Sequence, residues 1–136
     1  MTVRRQFVFD FVRAIDEKRL DEIKGYFDDK FLYHPHPIRL GSFGKPERMT
    51  GDDFVCLLAG LTSLKRWNES SVLDPPMKLI ESDKSMLLHM SATPKHVSGK
   101  TFQTEYVYML DFGDDGKITE LNEFFDTAYI QEMSAL

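Results

Sequence analysis

Among its 136 residues the chain has a single cysteine, Cys56, which excludes an intramolecular disulfide and a thiolate metal cluster. Cys56 lies in a helical pattern and is expected to pack. No apolar run approaches the ~20 residues that span a bilayer. The opening residues, with Arg4 and Arg5, are not followed by the apolar segment of a secretory leader. The expectation is a cytoplasmic protein that does not engage a membrane. Basic residues are in deficit, 17 Lys and Arg against 22 Asp and Glu for a net charge of −5, and nucleic acid is held largely by clustered cations. No nucleic acid partner is expected. Also missing are a glycine-rich phosphate or dinucleotide loop and a Gly-x-Ser-x-Gly elbow. His34-Pro-His36 has no third ligand nearby, so no metal is expected, and no cofactor is implied. There is no internal repeat, low-complexity segment or linker. At this length, with 42% hydrophobic residues, residues 1–136 read as one domain with a substantial core.

What is present is order. Val8, Phe11, Val12 and Ile15 form one stripe of an amphipathic helix over residues 3–17. A shorter helix is expected over 21–27, with Ile23, Tyr26 and Phe27 buried. Phe31-Leu-Tyr-His34 reads as a strand that ends before the donors removed by Pro35 and Pro37. Residues 35–49 form a loop, and Thr50-Gly-Asp-Asp53 caps a third helix reaching Lys65-Arg66. Three strands follow Pro75-Pro76, at 77–81, 86–93 and 101–112, and a fourth spans 118–125.

The last two strands carry the strongest signal. Tyr106, Tyr108, Leu110 and Phe112 recur at period two, and Asp115-Gly116 supplies a tight turn. On the returning arm Leu121, Glu123 and Phe125 share one face, which sets a carboxylate among side chains that point into the core. Burial of that carboxylate would raise its pKa and suit it to moving a proton near neutrality.

Helices first and antiparallel strands afterwards indicate an α+β domain with helices laid across one face of a curved sheet. The order of a long helix, a short helix, a Tyr-His-Pro strand, a Gly-Lys-Pro-Glu loop into a helix, and an Asp-Asp-Gly-Lys-Ile-Thr-Glu hairpin resembles the nuclear transport factor 2-like superfamily. Within it, the chain is most similar to the SnoaL-like polyketide cyclases. The resemblance implies a cone-shaped fold in which three helices and a strongly curved antiparallel sheet enclose an apolar pocket. It also implies a homodimer joined through the outer sheet face, where Val107 and Met109, with Leu88, Met90 and Ala92 of the neighbouring strand, are expected.

The superfamily hosts several chemistries and some members with none, so function rests on the site. Glu123 falls where cyclases and epoxide hydrolases of this fold aim an acid into the cavity. His89 and Ser91 match the arginine and first aspartate of those epoxide hydrolases, so that water-activating device is absent here and epoxide hydrolysis is disfavoured. The match sets both residues inward and makes Glu123 and His89 a candidate acid–base couple. His34 is placed to bond a substrate oxygen, Tyr106 and Tyr108 to offer phenol donors, Phe125 to line the pocket and Trp67 to cap it. Glu105 falls on the outer face. The implied activity is a cofactor-independent cyclisation, isomerisation or dehydration of a hydrophobic oxygenated small molecule such as a polyketide or terpenoid. The alternative is a non-catalytic ligand-binding or protein-interaction module.

Overall fold

A computed structural model describes residues 2–37, 48–61, 64–66 and 77–136. Helix α1 (Val3–Asp16) begins at Thr2, whose hydroxyl accepts from the Arg5 amide at 3.1 Å. It ends where Lys18 turns the chain at a φ of 54°. Arg4 fastens its N-terminal end to the far side of the sheet, donating to the carbonyls of Ser82 and Asp83 at 2.9 and 2.6 Å while its guanidinium lies 4.7 Å from the Phe112 ring centre. Helix α2 (Leu20–Ile23) and a 3-10 turn (Lys24–Tyr26) lead into strand β1 (Phe27–His36). After β2 (Met49–Thr50), helix α3 (Gly51–Gly60) opens on the expected capping box: the Thr50 hydroxyl accepts from the Asp53 amide and the Asp53 carboxylate from the Thr50 amide, at 3.2 and 3.0 Å. Strands β3 (Leu64–Arg66), β4 (Lys78–Glu81), β5 (Ser85–Ala92), β6 (Lys95–His96), β7 (Thr104–Phe112) and β8 (Ile118–Phe124) follow, and α4 (Thr127–Ser134) closes the order.

The main sheet is curved and six-stranded, in the order β2-β1-β8-β7-β5-β4, and β3 pairs with β6 apart from it. The sheet is mixed. β4, β5, β7 and β8 run antiparallel to their neighbours, but β1 joins β8 in parallel, with Tyr33 opposite Leu121 and Pro35 opposite Glu123. That pairing carries β1 through Pro35 to His36, past the end expected at His34. β2 accompanies β1 only at Leu32 and Tyr33, so a proline two residues on sits where its missing donor is tolerated. The β7–β8 turn is as expected: Gly116 has a φ of +84°, and the Gly113 amide donates to the Lys117 carbonyl at 2.9 Å.

The core packs the α1 stripe (Val8, Phe11, Val12, Ile15) and Phe54, Leu57 and Leu58 of α3 onto the inner sheet face of Phe31, Tyr33, Met86, Leu88, Met90, Tyr108, Leu110 and Leu121. Phe27 and Phe31 stack with ring centres 3.6 Å apart. Two expectations fail here. The third helix stops at Gly60 rather than Lys65-Arg66, which belong to β3. Cys56 does not pack but is exposed, on the α3 side opposite Phe54 and Leu57. Among the described residues no helix is long and apolar enough to cross a membrane.

Candidate functional site

Four elements close on one cavity of about 70 Å³ beneath the sheet's concave face. The C-terminal end of α1 brings Ile15 and Asp16; α3 brings Phe54, Leu57 and Leu58; the sheet contributes Tyr33, Tyr106, Tyr108 and Glu123; α4 roofs it with Tyr129, Ile130 and Met133. The walls are overwhelmingly apolar and aromatic, as in most small-molecule sites. α4 is held by its own cap, in which the Asp126 carboxylate accepts from the Tyr129 amide at 3.2 Å and from the Thr104 hydroxyl at 3.2 Å. Its apolar side meets Phe102, whose ring lies 5.3 Å from that of Tyr129.

Glu123 is a buried carboxyl in the lining of this space. Its side chain is buried at the period-two position shared with Leu121, and the Tyr33 hydroxyl donates to its Oε1 at 2.8 Å. Burial pushes the carboxyl up to about 8, against the smaller opposing effect of the Tyr33 hydrogen bond. Glu123 is therefore mostly protonated at neutral pH and can donate a proton or a hydrogen bond into the cavity. Tyr33, Tyr106 and Tyr108 are all raised well above the ordinary phenol range, first by burial and then by neighbouring carboxyls. They remain neutral donors. Tyr106 and Tyr108 meet edge to face with centres 5.3 Å apart.

Tyr106, Tyr108, Phe125 and Glu123 thus come together as the period-two reading placed them. The other residues do not join them. β5 turns Met86, Leu88, Met90 and Ala92 inward, so His89 and Ser91 lie on the outer face. His89 Nε2 sits 3.2 Å from Glu105 Oε2 at the surface, and no couple with Glu123 forms. The cause is hydrophobic: one β5 face is wholly apolar, the other mixes His and Ser with Leu87, and the uniform face is buried. The same result removes Leu88, Met90 and Ala92 from the outer surface. On β1, Phe31, Tyr33 and Pro35 take the inner positions, which sends His34 outward to Glu120 Oε1 at 2.7 Å and His36 to Asn122 Oδ1 at 2.8 Å. Trp67 lies outside the described residues.

Sequence reasoning missed Tyr33, Asp16 and α4. Tyr33 was available from its alternation with Phe31. Asp16 follows Val8 and Val12 at intervals of four, which puts it on the buried stripe. Asp126 before Tyr129, Ile130 and Met133 is a cap followed by a helical apolar pattern. Among the described residues no three of His, Cys, Asp or Glu converge as a metal site would require.

Several solved structures share this architecture from end to end. An NTF2-like protein of unknown function from Burkholderia pseudomallei superposes with a TM-score of 0.78 at 16% identity, covering 98% of both chains. TerC, co-crystallised with polyporic acid, gives 0.76 at 17% identity over 97% of this chain and 98% of that one. A protein from Shewanella putrefaciens described as a SnoaL-like polyketide cyclase gives 0.71 at 11% identity over 99% and 98%. No family model and no curated protein matches the sequence. The chain has the nuclear transport factor 2-like fold, the fold that SnoaL-like polyketide cyclases adopt.

Proposed function

We propose that the protein is a cofactor-independent acid–base enzyme that draws a hydrophobic oxygenated small molecule, of polyketide or terpenoid kind, into the cavity and moves a proton with Glu123. The supporting observation is the buried Glu123 carboxyl, held by Tyr33 and surrounded by aromatic walls, whose pKa burial pushes up to about 8. A carboxylic acid kept protonated near pH 7 is matched to general-acid work. Tyr106 and Tyr108 offer further donors to a carbonyl or enolate. Cyclisation, isomerisation and dehydration all need this kind of proton movement, and structural neighbours described as polyketide cyclases support that family of reactions. His89, His34 and Ser91 have no part in it.

The test is ligand-observed NMR against a panel of aromatic and polycyclic ketones and alcohols, followed by product analysis of those that bind. Conversion that Glu123→Gln abolishes without loss of fold supports the proposal. Bound compounds recovered unchanged after long incubation would make the protein a binding module. We further propose a homodimer through the outer face, on which Met109 and Phe124 are 44% and 43% exposed beside Val107.

A further inference from the structure

The strand registers assemble an apolar band across the outer face of the main sheet. Phe124 of β8 lies opposite Val107 of β7; two residues along β7, Met109 lies opposite Leu87 of β5, which in turn lies opposite Ile80 of β4. Phe124, Met109 and Ile80 are exposed. The carboxylates that flank this band are each tied to a donor of the same chain. Glu120 meets His34 at 2.7 Å, Glu105 meets His89 at 3.2 Å, and the Ser85 hydroxyl donates to Asp111 at 2.6 Å. A partner recognised by charge finds no carboxylate waiting for it here. A second copy brings a matching apolar band, and polar groups already satisfied within one face lose water at lower cost when that face is covered.

The charges around the band do not balance while its imidazoles are neutral. Among the described residues of these rows, Lys78 is then the one cation against Glu105, Asp111 and Glu120, a net of −2 on each face. Asp111 and Glu120 are also register partners across β7 and β8, and like charges set directly opposite each other oppose pairing.

We propose that the outer-face dimer is proton-linked: His34 and His89 take up protons as two copies meet, so the faces associate under mildly acidic conditions and separate as the pH rises. The inference rests on the dimer reading and adds the condition under which the dimer forms. With both imidazoles protonated, three cations stand against three carboxylates and each face is neutral. With both neutral, two negative faces are pressed together, and Glu105 and Glu120 lose water against uncharged partners. In the separate chain these pairs are screened by solvent; once covered they are screened less. Imidazole is the side chain whose charge changes across the neutral range, so association that favours the imidazolium form is itself favoured by lower pH. The surroundings of the two histidines differ. His34 faces the Glu120 carboxylate, whereas His89 lies between Glu105, which favours its positive charge, and Lys78, its register partner on β4, which opposes it. His36 stands apart: it is bonded to the amide oxygen of Asn122 and stacked on Phe124 with ring centres 4.5 Å apart, so a proton there neutralises no bonded carboxylate.

Sedimentation velocity on a dilution series at pH 6 and at pH 8, either side of the imidazole range, measures the dimer dissociation constant in both states. The native protein should dimerise ~10-fold or more tightly at pH 6 than at pH 8, the scale on which juxtaposed like charges weaken an interface. Glu105→Gln combined with Glu120→Gln removes the excess negative charge, so this variant should form the dimer at pH 8 within about threefold of the native constant at pH 6. That is a gain of a defined dimer, which a loss of fold cannot produce. His34→Gln combined with His89→Gln should show the weak pH 8 constant at both pH values. Native constants that are equal, or tighter at pH 8, would overturn the proton linkage and leave the dimer standing. It would also be overturned by a full pH dependence surviving in the histidine variant, or by a glutamate variant that stays as weak as the native protein at pH 8. A native chain that is monomeric at both pH values would end the dimer reading and this inference with it.

Discussion

The two faces of the sheet carry similar polar residues and put them to opposite uses. On the outer face, polar side chains pair across strands, His34 with Glu120, His36 with Asn122 and His89 with Glu105, in partial contact with water. Exposed pairs of this kind contribute little, about 0–1 kcal/mol each. On the inner face Glu123 accepts from Tyr33 among largely apolar and aromatic walls, and burial pushes its carboxyl up to about 8. Chemistry at this fold therefore depends less on which residues are present than on which side of the pleat they fall.

The largest expected effect that sharpens the comparison is on turnover. With a converted substrate in hand, Glu123→Gln should lower kcat by roughly 10²–10⁴ while preserving the fold, whereas His89→Ala should stay within about twofold of native. Parallel steady-state kinetics on both variants would check it, and a large loss in His89→Ala would break the division between faces.

Adjacent residues on β5 allow the same contrast in stability. Leu88 is fully buried, so Leu88→Ala should cost about 2–5 kcal/mol. His89→Ala should cost about 1 kcal/mol or less. Urea unfolding of the two variants would measure both, and equal losses would mean that β5 faces the other way.

Stability should also carry the signature of the buried acid. Because the Glu123 carboxyl lies at about 8 in the folded chain, above its ordinary value of 4.5, the folded state holds a proton that the unfolded chain releases between those values. Its stabilising contribution is complete below about pH 4.5 and declines as pH rises through about 8, by up to about 1.4 kcal/mol per pH unit. Denaturation midpoints from pH 5 to 8.5 should fall for the native protein, and Glu123→Gln should flatten the slope. An unchanged slope in that variant would remove the buried acid from the account.

The smallest effect on the domain itself is expected from Met109→Lys combined with Phe124→Lys. Both positions lie on the exposed outer face, so the fold should persist while light scattering shows a dimer of the native 15.8 kDa chain become a monomer. A native protein that is already monomeric would end the dimer proposal.

The β7–β8 hairpin and Glu123 were legible because the local signals agree: Tyr106, Tyr108 and Leu110 alternate, Gly116 supplies the positive φ, and Leu121 fixes the facing of Glu123. β5 was misread because the family match was allowed to decide between its faces. The uniformly apolar set of Met86, Leu88, Met90 and Ala92 was the better guide, since burial acts on every residue of a strand at once. β1 was misread in the same way: Phe31 and Tyr33 alternate inward, which turns His34 outward, but the family match was allowed to place His34 on the ligand. Its facing is held by the packing of Phe31 and Tyr33 on Phe54 of α3 and by parallel pairing with β8, and neither contact is local in sequence. The α4 helix was overlooked because eight residues with a weak pattern read as a tail until Phe102 and Phe125 are seen beside them.

That helix also bears on timing. Phe102, Tyr129 and Ile130 form a small cluster separate from the main core, so the roof is a local unit that can open while the sheet and α1 stay folded. Amide protons in Thr127–Ser134 should exchange with solvent faster than those of α1, and a ligand sealed beneath them should slow that exchange. The residence time of such a ligand would then be governed by how often α4 lets go of Phe102 and Thr104, a clock separate from the proton chemistry below.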